Sequence, residues 1–303
     1  MNNFMPSASP AGLHAGPPFL MNTAANSSTS PPQRVAWQQA ARVESEVDCT
    51  LHYQVDGPTD GLFLIHALQG MDQQVLTESL EVTPLLATRV IVDPSLQHRF
   101  IRLRAEAGEF TLRYRATVSR VVEAFDPHAR LVPIAELPDK LLHNLMPTRY
   151  CESDLMSRTA AKLFGGVRPG APQVMAVVDW IGQNIDYQLG STQSFSTAQD
   201  VYLQRAGVCR DFAHLAITFC RALNIPARLA AGYSPFDNPP PDFHALFEAY
   251  VGDRWVMFDP TRMAPPEQLV RIASGRDAKD VAFATLFGPA RMLDMAPEVR
   301  PAR

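Results

Sequence analysis

The stretch that opens at Gly207 constrains this chain most. From Cys209 onward, apolar residues recur at Cys209, Phe212, Ala213, Ala216, Phe219, Cys220 and Leu223, which is the period of an α-helix. Its polar residues, Arg210, Asp211, His214, Thr218 and Arg221, form only a narrow stripe. A helix that is apolar over most of its circumference must be covered on most sides. The fold therefore has to wrap a central helix. Gly207 lets the backbone turn sharply into it, which leaves Cys209 in the first turn. Free N–H groups and the helix dipole there favour an anion, and so a thiolate.

A nucleophilic thiolate needs a base, and the base needs a partner to orient it. His214 is a poor candidate, because five residues of helix turn it about 140° away from Cys209. His244 is better placed. It lies in Asp242–Val251, where Phe243, Ala245, Phe247, Ala249 and Val251 alternate as one face of a strand. His244 and Glu248 belong to the other face. Asp259 closes the next apolar run, Trp255–Phe258, and Pro260 biases it to an extended conformation. Gly252-Asp253 between the runs is a hairpin signal, which makes His244 and Asp259 cross-strand neighbours. Each of these residue types alone is more often structural than catalytic. Three of them at element ends, in a consistent order, point to acyl-transfer chemistry.

Several spaced blocks carry a family resemblance. Gly207-Val208-Cys209-Arg210-Asp211-Phe212-Ala213-His214, Cys220 to Arg228, Gly232-Tyr233, Phe258-Asp259-Pro260-Thr261 and Gly275 to Val281 resemble the core of the bacterial transglutaminase-like superfamily. Its members are often named as cysteine proteases. The resemblance runs from about Leu145 to Val281 and more faintly through a β-rich N-terminal region. It implies Cys209 as nucleophile, His244 as base and Asp259 as orienter. It also implies a papain-like core, with a central helix packed on an antiparallel sheet. One departure is visible: Leu246 stands where the family usually has Trp, two residues after the His.

Hydrophobic content of 46% over 303 residues is ample for two cores. We expect an α+β chain in three parts: a disordered tail over residues 1–42, an antiparallel β-sandwich over 43–125 and the catalytic domain over 126–303. The tail is rich in Pro, Ser, Ala and Asn, and lacks the charge and unbroken apolar run of a secretory signal. Strands are predicted over Val47–Val55, Leu62–Leu68, Val75–Val82, Arg89–Val92, Arg99–Arg104 and Glu109–Val122. Helices are predicted over Ser153–Phe164, through the stripe Val174, Val177, Val178, Ile181 and Ile185, and over Thr197–Arg205. After Thr261 we expect loops and a short tail. Within it, Gly275-Arg276-Asp277 and Asp280 either close over the site or form a plain surface loop.

A formal net charge of −4 gives no reason to expect nucleic acid, and no apolar run is long enough for a membrane span. The four cysteines suggest a reducing, cytoplasmic setting. None forms a Cys-x-x-Cys pair, so no metal site is expected, and no cofactor signature is present. Cys209 and Cys220 lie roughly 16 Å apart on one helix and cannot be bridged. Cys49, Cys151 and Cys220 read as buried thiols, and His52, His66 and His98 as structural. Tyr187 is the candidate for a second oxyanion donor beside the backbone N–H of Cys209.

The resulting expectation is cysteine-dependent acyl transfer on a peptide, γ-glutamyl or glutamine-type amide through a thioester, ending in hydrolysis. The alternatives are a protein-glutamine transglutaminase and a non-catalytic binding module on the same fold.

Overall fold

In the computed structural model, which describes residues 41–70, 72–236 and 242–302, every second side chain from Ser45 to Val55 is buried, and this alternation runs down β1 (Ala41–Val55). The chain continues through β2 (Thr59–Phe63), β3 (Gln73–Thr83), β4 (Thr88–Val92), β5 (Arg99–Ala105) and β6 (Gly108–Val122). β1, β3, β4, β5 and β6 match the strands expected from alternation and turn signals. Two differences are β2, which begins at Thr59 and shares only Leu62 and Phe63 with the expected Leu62–Leu68, and the start of β1 at Ala41, inside the stretch expected to be a tail. The rest of that expectation, for residues before 41, lies outside the described residues.

Two short 3-10 segments lead into α1 (Ser153–Phe164) and α2 (Ala171–Asn184). Next come β7 (Asp186–Tyr187), α3 (Ala198–Gln204), β8 (Ala206–Gly207), α4 (Cys209–Ala222), β9 (Ala227–Tyr233), β10 (Phe243–Val251) and β11 (Arg254–Phe258). The chain ends in β12 (Val270–Gly275), β13 (Ala284–Phe287) and β14 (Ala290–Pro301).

The expected loops and tail after Thr261 are therefore corrected. Three strands occupy that region, and two of them return to the β-sandwich. Its sheets have the orders β14-β1-β6-β3 and β13-β2-β5-β4, so the last strands of the chain pair with the first ones. The reason β14 escaped notice is physical. It is an edge strand with mostly exposed or half-exposed side chains, and an edge tolerates prolines such as Pro297 that argue against an interior strand. Between the sheets, Phe63 stands edge-on to Tyr53 and Phe110, at centroid distances of 5.5 and 6.1 Å.

The third sheet has the order β11-β10-β9-β12 and is antiparallel throughout. Helix α4 packs on its strands β9 and β10, with α1, α2 and α3 against its other sides. Every residue of α4 from Asp211 to Arg221 is buried, the polar stripe included. Arg221 can be buried because its guanidinium donates to the carbonyls of Ala227, Met146 and Arg276. Phe219 anchors the helical side, edge-on to Phe164 at 5.2 Å and to Trp180 at 5.7 Å.

The sandwich and the helical core are joined through buried polar contacts. The Tyr233 hydroxyl donates to the Ile65 carbonyl. The Gln73 amide bonds the Arg271 backbone in both directions, at 2.8 Å each. Among the described residues, no helix is long and apolar enough to cross a membrane.

Candidate active site

Three local devices set the position of Cys209. Helix α3 is capped by Thr197 and Asp200, each side chain bonding the other's backbone N–H. It ends at Arg205 in a left-handed conformation, φ 62°. Thus Arg205, not Gly207, makes the sharp turn. Gly207 is needed for close approach instead, since a Cβ there would come within 2.8 Å of the Asp211 Cβ. Strand β8 then pairs in parallel with β7 and sets Tyr187 opposite Gly207, two residues before the cysteine.

The start of α4 is stitched by Asp211, whose importance the sequence did not reveal. Its buried carboxylate accepts from the Val208 N–H at 3.0 Å, from the Thr192 hydroxyl, and from Arg210 Nε and one terminal guanidinium nitrogen. Arg210 also donates to the Gln193 carbonyl at 2.9 Å. The loop at 192–193 and the first turn of α4 are thus one hydrogen-bonded unit. The available signal was an acid in the third helical position, where it can reach back to the N-cap N–H.

Cys209 is half-buried at the head of this helix, whereas Cys49, Cys151 and Cys220 are buried, and all four are free thiols. Tyr187 is half-buried beside it. The tyrosine ring lies 5.9 Å from Phe212, and the residue is close enough to Cys209 to feel its charge. Burial, and secondarily the charge of a Cys209 thiolate, push the Tyr187 pKa up, so the phenol keeps its proton.

His244 sits in β10 opposite Gly232 and is 1% exposed. Its Nε2 lies 2.9 Å from Asp259 Oδ2, with both side chains buried. Nδ1 has no hydrogen-bond partner among the described residues, which leaves it as the nitrogen available to Cys209. Burial is the largest influence on this ring and lowers its pKa. The bond to Asp259, the interaction with Cys209 and the charges of both outweigh it, so the pKa is raised to about 10.

The hairpin that brings His244 and Asp259 together turns at Gly252 and Asp253, with φ 58° and 65°. That is the pair of left-handed residues a two-residue hairpin requires. Its register ends at Phe247 opposite Phe258, and Asp259 follows at the strand end. Asp259 Oδ1 accepts from the Thr261 N–H at 2.9 Å and the Thr261 hydroxyl at 2.6 Å. The Ala264 N–H donates to Oδ2 at 3.3 Å. Burial pushes this carboxyl up, but His244 and Thr261 prevail and hold it below the usual range as an anion. Thr261 was legible only as part of a motif. An Asp followed two residues later by Thr is, physically, a side-chain turn.

The same strand face continues from His244 through Leu246 to Glu248, all buried. Glu248 belongs to a separate cluster with Arg228 and Arg271. His214 is not brought to the site. Its Nε2 accepts from the Ala278 N–H at 3.1 Å and its ring stacks on Tyr150. Burial pushes its pKa down to about 3, so it stays neutral. The segment from Gly275 to Asp280 is fastened to α4 through His214 and Arg221. It braces the helix along its middle and later turns.

His244 is thus paired with the buried Asp259 carboxylate, and the half-buried Cys209 thiol is near enough to both His244 and Tyr187 to act on their charge states. That arrangement can form and break a thioester. Residues 157–260 match the Transglutaminase-like superfamily, and residues 43–140 match the Bacterial transglutaminase, N-terminal domain. A crystal structure of a "Putative Cysteine Protease" from Cytophaga hutchinsonii is 42% identical, with a TM-score of 0.83, covering 88% of this chain and 92% of that one. An uncharacterized protein of Mycobacterium leprae is 30% identical over 196 residues, 59% of this chain and 68% of that protein. One from Mycobacterium tuberculosis H37Rv is 29% identical over 143 residues, 43% of this chain and 46% of that protein.

Proposed function

The chain belongs to the transglutaminase-like superfamily, a class of cysteine-dependent enzymes, and from that premise we propose that it cleaves an amide by acyl transfer through Cys209 to water. The observation that carries this reading is the buried His244–Asp259 pair, 2.9 Å apart, whose remaining ring nitrogen is free for the thiol at the head of α4.

In this mechanism the Cys209 sulfur attacks the amide carbon and forms the C–S bond. The developing oxyanion is met by the Cys209 N–H and the Tyr187 hydroxyl. The C–N bond breaks as His244 Nδ1 gives its proton to the leaving amine, and a thioester remains on Cys209. The neutral ring, still oriented by Asp259, then takes a proton from water as the water oxygen attacks the thioester. The C–S bond breaks, the acid departs and the thiolate–imidazolium pair returns. Asp259 orients the ring without taking the proton.

Hydrolysis is favoured over transfer to an amine because water needs no second specific pocket. The substrate class is a peptide, γ-glutamyl or glutamine-type amide. Four unpaired thiols support a reducing, cytoplasmic setting.

The test is peptide-amide library profiling combined with intact-mass trapping of the acyl-enzyme. The wild type is expected to show turnover and a thioester adduct on Cys209, and Cys209→Ala neither. Tyr187→Phe is expected to lose about 10²–10³ in kcat if the phenol serves as an oxyanion donor. Turnover retained in Cys209→Ala overturns the reading.

A further inference from the structure

A cavity of about 720 Å³ lies apart from Cys209, His244 and Asp259. It sits between the end of β6, helix α2 and the face of β10 and β11 that carries Glu248. Its apolar wall includes Phe125, Phe258, Trp255, Met257, Met175 and Val178. The size and the lining are those of a small-molecule site.

The charges around it do not cancel locally. Glu248 is held by Arg228 and Arg271, and Asp72 by Arg271. Glu123 pairs with Arg254, and Asp179 with Arg262. Every acid on the wall except Glu267 is thus paired to an arginine other than Arg120. Arg120 is 6% exposed. It donates to the carbonyls of Glu267 and Leu269 and to the Ser45 hydroxyl, and its Nε has no partner among the described residues. The Glu267 carboxylate is exposed and acts on Arg120 only across a distance, while the like charge of Arg271 stands nearby. A buried guanidinium without a carboxylate in contact is costly to keep. An apolar cavity bordered by such a cation is suited to a ligand that brings one negative charge and an apolar body.

We propose that this cavity binds an amphipathic monocarboxylate, with the carboxylate at Arg120 and the apolar body along Phe125, Trp255 and Phe258. The site is independent of Cys209. Because Phe258 precedes Asp259 and Arg262 lies in the turn that holds Asp259, an occupant rests against the back of that turn.

Isothermal titration with decanoate tests the proposal on the full chain, with decanol and decyltrimethylammonium as the neutral and cationic probes. Decanoate is expected to bind one to one, and more tightly than either. Arg120→Met is expected to weaken decanoate by about tenfold or more and to abolish its advantage over decanol. Because that substitution also leaves two carbonyls without a donor, Val178→Trp serves as a second variant. It fills the cavity without touching a charge and is expected to block all binding. Cys209→Ala is expected to bind decanoate like the wild type. The proposal falls if the wild type gives no heat at millimolar decanoate. It falls also if decanol binds equally well, or if Val178→Trp leaves decanoate binding unchanged.

Discussion

At the residue scale, the four cysteines differ in environment. Burial raises the thiols of Cys49 and Cys151 to about 12 and pushes that of Cys220 up as well, whereas Cys209 is the half-buried one. Brief iodoacetamide treatment of the folded protein at about pH 6, read by peptide mass spectrometry, should therefore label Cys209 first. His244→Ala should slow that labelling by removing the neighbouring imidazolium. Equal labelling of Cys151, or an unchanged rate in His244→Ala, would dismantle the thiol–imidazole pair. The same pair predicts a pH dependence. The His244 pKa is raised from 6.5 to about 10 in the folded state, so its stabilisation is complete below about pH 6.5 and is lost as pH rises through about 10. The stability difference between the wild type and Asp259→Asn in urea should thus shrink from about pH 6 to about pH 10. A difference that stays constant over that window would contradict the assignment. Cys209, His244 and Asp259 were legible because each stands at an element end beside a turn signal. Asp211 and Thr261 were not, because what they do is bond backbone N–H groups, and nothing in residue type alone shows which loop will come to meet them.

At the level of elements, five of the first six strands and the four α-helices of the described residues could be read from period and punctuation, while β2 lies mostly ahead of the strand expected over Leu62–Leu68. Alternation is strict over Ser45–Val55 of β1 and Phe110–Val118 of β6, because there one face is buried and the other is half-exposed. α4 was legible as central, and its narrow polar stripe is buried as well from Asp211 to Arg221. Arg221 and His214 are buried because backbone groups from 146, 227, 276 and 278 reach them, and sequence spacing carries no trace of those contacts. The join between β8 and α4 yields a sharper test. Gly207→Ala places a methyl within 2.8 Å of the Asp211 Cβ, so either the carboxylate or the helix head must shift. Displacing a nucleophile by about 1 Å can cost about 10²-fold in rate. We expect kcat to fall far more than thermal stability does, with assays of turnover and melting run side by side. A Gly207→Ala enzyme with unchanged kcat would show that the helix head has room to spare.

For the whole molecule, the sandwich is finished by strands that come last in the chain. β14 pairs with β1 from Ser45 opposite Pro301 to Val55 opposite Ala290, and β13 pairs with β2. Removing residues from 290 onward should strip β1 of one neighbour along its full buried length. Such a truncated chain should melt at lower temperature and associate, as seen by circular dichroism and size-exclusion chromatography. A monomer with the wild-type melting temperature would mean that β14 is only an ornament of the edge. The arrangement also bears on how the protein is born. A ribosome releases β1 some two hundred and fifty residues before the strand that covers it. During that interval the N–H and C=O groups of β1 facing the absent β14 stand open to any extended chain, including a neighbouring nascent copy. Among the described strands, the first to be synthesised is thus the last to be sealed.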